Sequence, residues 1–232
     1  MRTIYREAEA IVTYGEHVSA YVRRHGATRV FVAPQAVDNA FWSAGTGPRA
    51  DRRFAALFVG RPAGEKGLAV ALAAWRAAAL DGTLTVVGEH TGLPADVIAA
   101  GHVSAVQLRN FYGASDVLVI PSVTTRRFIE PWGLVVNEAM NQGLAIIASS
   151  AVGAAAGGLV RDGHNGLVVS EGDPGALARA FASLAGDRAR CAELGAAGRE
   201  DVSAYTYERW ADGFVRALEE IPPSSPAGSV AR

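Results

Sequence analysis

Short apolar runs alternate along this chain with Ala- and Leu-rich stretches of helical periodicity. The runs are AALFVG, LTVVG, DVLVIPS, LAIIAS and GLVV, at 55–60, 84–88, 116–122, 144–149 and 166–169. Strands that are apolar at nearly every position are typical of a sheet covered by helices on both faces. Helices are expected near 65–80, 104–113, 134–142, 174–185, 188–200 and 206–220. The order of the elements therefore predicts an α/β fold with a doubly wound parallel sheet.

The first 42 residues form a separate pattern. They contain one βα unit and a second strand, with the runs AIVT at 10–13 and VFVAP at 30–34. Two parallel strands and one helix cannot bury enough surface to fold as an independent domain. Residues 1–42 therefore either extend the main sheet or are the last piece of another domain.

The other boundaries follow from composition. Polar, Gly- and Pro-containing stretches separate the apolar pattern into a linker at 43–53, a main domain at 54–204, a C-terminal helix at 205–221 and a flexible tail at 222–232. On the last helix, Trp210, Phe214 and Leu218 follow each other at four-residue spacing. This spacing places the three side chains on one face of the helix, and it predicts that they are packing residues.

Composition narrows the class of protein. Half of the residues are apolar, and 22 basic residues nearly balance 23 acidic ones. A net charge of −1 excludes a general attraction to nucleic acid, so the partners must be recognised at a local site. The single Cys191 and the absence of an apolar run approaching about 18 residues predict a cytoplasmic protein, with peripheral membrane attachment left open.

The first strand of the main domain leads into a candidate anion site, in the segment ALFVGRPAGEKG. A strand, a turn at Gly60 and a helix start leave backbone amides unpaired, and Arg61 and Lys66 add two positive charges there. A lone Arg or Lys in a loop is more often simply solvated. Neither a Walker A loop nor a G-x-G-x-x-G fingerprint is present.

Two carboxylates, Glu130 and Glu138, stand in E-x7-E spacing around Gly133-Leu134. Alone, this spacing would indicate a solvated helix face. Here it is one of five ordered motifs, VGRPAGEKG, VVGEH, FYGASDVLVIPS, EPWGLVVNEAMNQGLAIIAS and GLVRDGHNGLVV. With them, residues 54–220 resemble the Rossmann-like, nucleotide-sugar-binding C-terminal half of a GT-B glycosyltransferase, of the large retaining group called family 4 or glycosyl transferases group 1.

The resemblance implies a role for each motif residue. Arg61 and Lys66 would contact the donor diphosphate and stabilise the leaving nucleoside diphosphate. Glu130 would lie beside the transferred sugar. Glu138 would accept hydrogen bonds from the two ribose hydroxyls, a task that suits a carboxylate because it offers acceptors only. The backbone amides near Gly133 and Leu134 would meet the phosphate or the sugar.

The rest of the donor site is less distinct in sequence. Gly88 would let the backbone approach the diphosphate, although a plain strand-to-loop glycine fits the pattern equally well. The base is expected near His102 and Val103, through backbone contacts that do not separate a UDP-linked from a GDP-linked donor. No D-x-D pair is present, which agrees with a mechanism without metal or cofactor.

The chain also departs from the family. Residues 1–42 resemble only the end of the first, acceptor-binding domain, and Gln35-Ala36 replaces its usual Asn-Gly. The acceptor, whether a saccharide, a lipid-linked or a small molecule, would need that domain. We therefore expect the isolated chain to transfer little or no sugar, to expose apolar surface on its last helix, and to self-associate or require a partner chain.

Three functions stay open at this point. The first is a glycosyltransferase of hexosyltransferase type, or its donor-binding part. The second is a non-catalytic nucleotide-sugar-binding subunit. The third is a dinucleotide-dependent oxidoreductase, in which Glu89 after the second strand of the main domain would bind a ribose.

Overall fold

The computed structural model describes residues 2–46, 53–126 and 128–221. The chain divides into two compact units, a smaller one of Met1–Gln35 with Tyr207–Arg232 and a larger one of Ala36–Thr206. The predicted tail at 222–232 and most of the predicted linker, 47–52, lie outside the described residues.

The described residues form eight strands and ten α-helices. The strands are β1 Ile11–Thr13, β2 Val30–Val32, β3 Phe54–Val59, β4 Gly82–Val87, β5 Ile98–Gly101, β6 Val117–Ile120, β7 Ala145–Ser149 and β8 Gly166–Val169. The helices are α1 Arg2–Glu7, α2 Glu16–Arg24, α3 Asn39–Ser43, α4 Leu68–Ala78, α5 Ala105–Gly113, α6 Val135–Asn141, α7 Gly153–Ala156, α8 Pro174–Gly186, α9 Arg188–Val202 and α10 Tyr207–Glu219.

The larger unit contains a six-stranded sheet in the order β5-β4-β3-β6-β7-β8. All five neighbouring pairs are parallel. From β3 the chain proceeds to β4 and β5 on one side, and then crosses to β6 on the other. The predicted doubly wound parallel sheet is confirmed, and its topological switch point, where such sheets bind ligands, lies between β3 and β6.

Helices cover the sheet because its strands are apolar on both faces. Phe54, Ala56 and Phe58 of β3 face a core that includes Trp75 of α4 and Phe181 of α8. The ring of Trp75 stacks on Phe54 at 6.3 Å between centroids and meets Phe181 edge-on at 5.4 Å. Aromatic pairs at these separations add to the area that they bury.

The sequence pattern did not predict the elements that are short or exposed. β5 is an edge strand whose Ile98 and Ala99 are exposed, so it has no continuous apolar run. α1, α3 and α7 have at most six residues each, too few for a helical period to be recognised. α4 was expected from residue 65, but Gly67 adopts a left-handed φ of 72° and separates a short 3-10 helix, Gly64–Lys66, from α4.

In the smaller unit, β1 and β2 form a parallel pair that is not part of the six-stranded sheet. Helix α10 packs on this pair through Gly213, where an added Cβ would lie 2.6 Å from the carbonyl oxygen of Val32. The prediction that Trp210, Phe214 and Leu218 are packing residues is wrong, because these side chains are 42%, 39% and 67% exposed. The close-packed stripe passes through Gly213 and Ala217 instead.

No helix among the described residues is long and apolar enough to cross a membrane.

Candidate functional site

A cavity of about 550 Å³ opens above the carboxyl ends of β3, β4 and β5. Its lining includes five of the residues proposed from the sequence, namely Gly60, Arg61, Gly88, His102 and Val103. The ends of parallel strands converge at one edge of the sheet, so loops distant in sequence meet there.

Close backbone contacts shape this cavity. Gly88 has a φ of 131°, and a Cβ added to it would lie 2.1 Å from the carbonyl oxygen of Gly60. The Gly88 amide donates to the carbonyl of Gly101 at 2.8 Å, and Nε2 of His90 lies 2.9 Å from the carbonyl oxygen of Gly60. The strand ends therefore approach each other closely at Gly88, where a larger residue would clash with the Gly60 carbonyl.

Arg61 is the cation at the cavity wall. Its guanidinium forms an ion pair with Glu65, one turn further along the same loop. A hydrogen bond from the Glu65 backbone, together with this guanidinium, holds the pKa of the Glu65 carboxyl below its usual value. The side chain of Arg61 is exposed, so an incoming anion can reach it.

Lys66 is the second cation, and its partner is Glu130. Nζ of Lys66 lies 2.5 Å from Oε2 of Glu130, and Oγ of Ser122 donates to the same oxygen at 3.2 Å. Glu130 is 5% exposed. The first carboxylate of the E-x7-E motif is therefore a nearly buried anion, compensated by a lysine 64 residues away in sequence.

Gly67 lets the loop after β3 come close to the end of β6. A Cβ added at Gly67 would lie 1.9 Å from the carbonyl oxygen of Pro121, at the end of β6. Beside it, the amide of Val123 donates to the carbonyl oxygen of Glu65 at 2.9 Å. The loop that carries both cations is thus fastened across the switch point between β3 and β6.

The Pro-Trp-Gly turn after Glu130 is fixed by a side-chain hydrogen bond and a close contact. The indole Nε1 of Trp132 donates to Oδ1 of the buried Asn137 at 2.8 Å. Gly133 has a φ of 89°, and an added Cβ there would lie 2.7 Å from Ile120 Cδ1. Leu134, at the start of α6, is exposed.

Glu138 lies in the first turn of α6 and has a different kind of partner. The hydroxyl of Tyr112, on α5, donates to its Oε2 at 2.7 Å. Burial raises the pKa of Glu138, and the hydrogen bond from Tyr112 opposes that shift. Among the described residues, no Lys or Arg forms an ion pair with Glu138.

The structure thus arranges the proposed charged residues in three clusters at one edge of the sheet. They are Arg61 with Glu65 at the cavity wall, Lys66 with Glu130, and Glu138 with Tyr112. Sequence reasoning missed four of the side chains and turns that hold them, namely Glu65, Gly67, Tyr112 and Ser122. Tyr112 and Ser122 lie in the quoted segment FYGASDVLVIPS, and Glu65 and Gly67 flank Lys66. A motif gives residue types in order, but it does not show which of them are paired.

The glycosyl transferases group 1 family model matches residues 45–201, more than half of the chain. The chain belongs to this family. The assignment removes the oxidoreductase alternative, although Glu89 does line the cavity.

The curated relatives of this group 1 chain include two D-inositol 3-phosphate glycosyltransferases. The protein from Geodermatophilus obscurus is 35% identical over 125 residues, which cover 53% of this chain and 25% of the relative. That from Stackebrandtia nassauensis is 34% identical over 138 residues, or 55% and 28% of the two chains. The alignments span about a quarter of each relative's length.

Solved structures confirm the GT-B fold. Sucrose-phosphate synthase from Thermosynechococcus elongatus superposes with a TM-score of 0.78 at 26% identity, over 94% of this chain and 60% of that one. HepE from Anabaena, crystallised with UDP and glucose, gives a TM-score of 0.77 at 18% identity, over 93% and 64%. The family resemblance noted in the sequence is thereby confirmed.

Proposed function

We propose that this chain is the donor-binding part of a retaining glycosyltransferase of hexosyltransferase type, taking a UDP- or GDP-linked sugar. The observation that carries the proposal is the gathering of two cations and two carboxylates at the carboxyl edge of the sheet. The cavity beside Arg61 supplies the space, and the partly buried Lys66–Glu130 pair lies at the switch point. HepE, with the same fold, was crystallised with UDP-glucose.

The expected chemistry follows from charge. As the bond between sugar and diphosphate breaks, negative charge grows on the leaving group, and Arg61 and Lys66 stabilise it there. Both cations are already paired with carboxylates, so a bound diphosphate replaces part of the charge interaction that Glu65 and Glu130 make with them. Once its ion pair with Lys66 loosens, Glu130 is free to face the sugar.

The remaining contacts complete the donor site. Glu138 accepts hydrogen bonds from the ribose hydroxyls, while the backbone at Gly133 and Leu134 meets the phosphate or the sugar. The base lies against His102 and Val103, which line the same cavity as Arg61. We propose that binding needs no metal, because Arg61 and Lys66 can each make a charge-assisted contact to the diphosphate.

A calorimetric panel of UDP, GDP, ADP and their common sugars tests this proposal. We expect one nucleoside diphosphate to bind with unchanged affinity in EDTA and after addition of magnesium. Arg61→Gln should weaken its binding about tenfold, because one charge-assisted contact is lost. The matched control is Arg179→Gln, which removes an exposed charge from α8 outside the cavity lining. Binding that vanishes in EDTA and returns with magnesium would overturn the assignment.

A second proposal concerns the partner. On α10, the rings of Trp210 and Phe214 lie 4.6 Å apart and both are exposed, as are Val215 and Leu218. An apolar patch of this kind is typical of an interface. We propose that the chain on its own transfers little sugar, and that it self-associates or works with an acceptor-binding partner in the cytoplasm. Light scattering and a transfer assay test this together, and a monodisperse monomer with robust turnover would refute it.

A further inference from the structure

Tyr112 is the largest fully buried side chain of the described residues, with 0% of its surface exposed. Its ring meets Trp42 of α3 edge-on, at 5.8 Å between centroids. A buried phenol must place its hydroxyl on an acceptor, because an unpaired donor would cost about 1–3 kcal/mol. The acceptor here is a side chain on another helix, Oε2 of Glu138 at 2.7 Å.

Glu138 differs from Glu65 and Glu130 in the kind of partner that it has. Glu65 is paired with Arg61 and Glu130 with Lys66, but the partner of Glu138 is a neutral hydroxyl. Its other oxygen, Oε1, accepts no hydrogen bond from the described residues. The carboxylate is therefore oriented through one oxygen, while its second oxygen and its negative charge stay available.

We propose that Tyr112 is a positioning residue of the nucleotide site, whose hydroxyl fixes Oε2 of Glu138 so that the carboxylate can accept hydrogen bonds from the ribose hydroxyls. The inference rests on the proposed role of Glu138. Tyr112 itself touches no ligand, and its effect passes entirely through the hydrogen bond to Glu138.

The ionisation of Glu138 gives this role a specific signature. A carboxylate can accept from both hydroxyls of a diol, whereas a protonated carboxyl has lost part of its acceptor capacity. Burial raises the pKa of Glu138, and the Tyr112 hydroxyl lowers it. Removing the hydroxyl leaves burial unopposed, so the pKa of Glu138 rises further and ribose binding begins to fail at a higher pH.

The titratable groups on the elements that pack against Glu138 do not account for this pH dependence, so it is attributed to Glu138 itself. Helix α6 packs against α3, α5, α9 and β7. α3 and β7 carry no titratable residue, and α5 carries Tyr112 and Arg109, whose guanidinium donates to the Phe41 carbonyl. The buried Cys191 of α9 stays neutral over this pH range, because burial raises the pKa of its thiol to about 11. The charged residues of α9 are exposed or paired elsewhere, and they are Arg188, Arg190, Glu193, Arg199, Glu200 and Asp201.

The test is the pH profile of nucleotide affinity in Tyr112→Phe, measured by calorimetry with UDP and GDP and with their 2′-deoxy forms. At mildly acidic pH we expect the variant to bind the ribonucleotide about three- to tenfold more weakly than wild type. The difference should shrink at mildly alkaline pH and be smaller for the 2′-deoxy form. Ionisation of the diphosphate is the same for both proteins and cancels from the comparison.

Trp42→Phe is the matched control. It disturbs the packing around the Tyr112 ring but keeps the hydroxyl, so the wild-type pH profile is expected. A wild-type profile in Tyr112→Phe would overturn the inference. If Tyr112→Phe fails to fold, Glu138→Asp replaces it, because the shortened carboxylate leaves the hydroxyl behind. The unperturbed pKa of Asp is about 0.4 below that of Glu, so a midpoint lowered by that amount would refute the proposal, whereas loss of the Tyr112 hydrogen bond should keep the midpoint at or above the wild-type value.

Glu138→Gln separates this inference from the proposed function. It should weaken ribonucleotide binding and abolish the pH dependence that distinguishes ribose from deoxyribose. If it does so while Tyr112→Phe behaves as wild type, Glu138 binds ribose but Tyr112 does not position it. If Glu138→Gln binds both nucleotides as wild type does, the ribose assignment itself is wrong.

Discussion

Nζ of Lys66 lies 2.5 Å from Oε2 of Glu130, so the loop after β3 is held by an ion pair to the segment after β6. The lysine side chain is 21% exposed and the glutamate side chain only 6%. The two residues proposed to act on opposite sides of the scissile bond are thus already in contact with each other. Their contact is part of the fold as well as part of the candidate site.

Replacing Lys66 by Met should lower the free energy of unfolding by about 3 kcal/mol, since it leaves a nearly buried carboxylate without a cation. Glu130→Gln keeps the shape of the side chain and removes the charge. We therefore expect the Lys66→Met/Glu130→Gln double variant to be more stable than Lys66→Met alone, in chemical denaturation at neutral pH. Strictly additive losses would mean that the ion pair contributes nothing.

Gly67→Ala should destabilise the larger unit by about 3 kcal/mol, because the new Cβ would meet the Pro121 carbonyl oxygen at 1.9 Å. Gly92 is a close control, with a φ of 70° against 72° at Gly67 and nothing within 4 Å of its added Cβ. Gly92→Ala carries only the left-handed backbone cost of about 1 kcal/mol. Equal losses in thermal denaturation would show that the close approach to Pro121 is unimportant.

Cys191 should be inert in the folded protein. Burial, together with the nearby charge of Asp116, raises the pKa of this thiol to about 11. Because the thiolate is the reactive form, labelling by a thiol reagent at neutral pH should be slow in the native state and fast in denaturant. A native labelling rate close to that of the denatured chain would contradict the buried position.

Asp201 should contribute a pH-dependent part of the stability. Burial alone would raise the pKa of this carboxyl, but hydrogen bonds from Arg161 at 2.5 Å and Asn165 at 2.7 Å outweigh it and hold the pKa below its usual value. A lowered folded-state pKa means stability that is present above the unfolded-state pKa and is lost as pH falls through the folded-state one.

We therefore expect Asp201→Asn to cost about 1 kcal/mol at neutral pH and little in strong acid. Urea denaturation at a series of pH values measures the difference from wild type. A loss that stays the same at every pH would assign the effect to shape rather than to charge.

The sequence predicted those parts of the fold that repeat a simple pattern. The central strands are apolar on both faces, and helices such as α8, with Asp173 as its N-cap and Pro174 as its first residue, carry recognisable start signals. It did not predict β5, whose exposed edge position removes the apolar signal. It also misplaced the packing face of α10, because a contact made through a glycine gives no hydrophobic pattern in the sequence.

The sequence likewise predicted only part of the candidate site. Ordered motifs singled out Arg61, Lys66, Glu130 and Glu138 as candidates, since each stands in a segment of distinctive composition. The partners of the two carboxylates of the E-x7-E motif were not predictable, because Lys66 and Tyr112 come from distant segments brought together by the strand order. Long-range pairing is a property of the folded chain and has no local signal.

The paired state of Arg61 and Lys66 has a consequence for selectivity among small anions. Each cation is occupied by a carboxylate, so an entering ion gains only the difference between its own attraction and that of the residue it displaces. Chloride or acetate, with one charge and one point of contact, gains almost nothing by this exchange. On the proposed function, a pyrophosphate group would offer several charges to both cations, and the loop would then favour it over the background electrolyte without any contact to base or sugar.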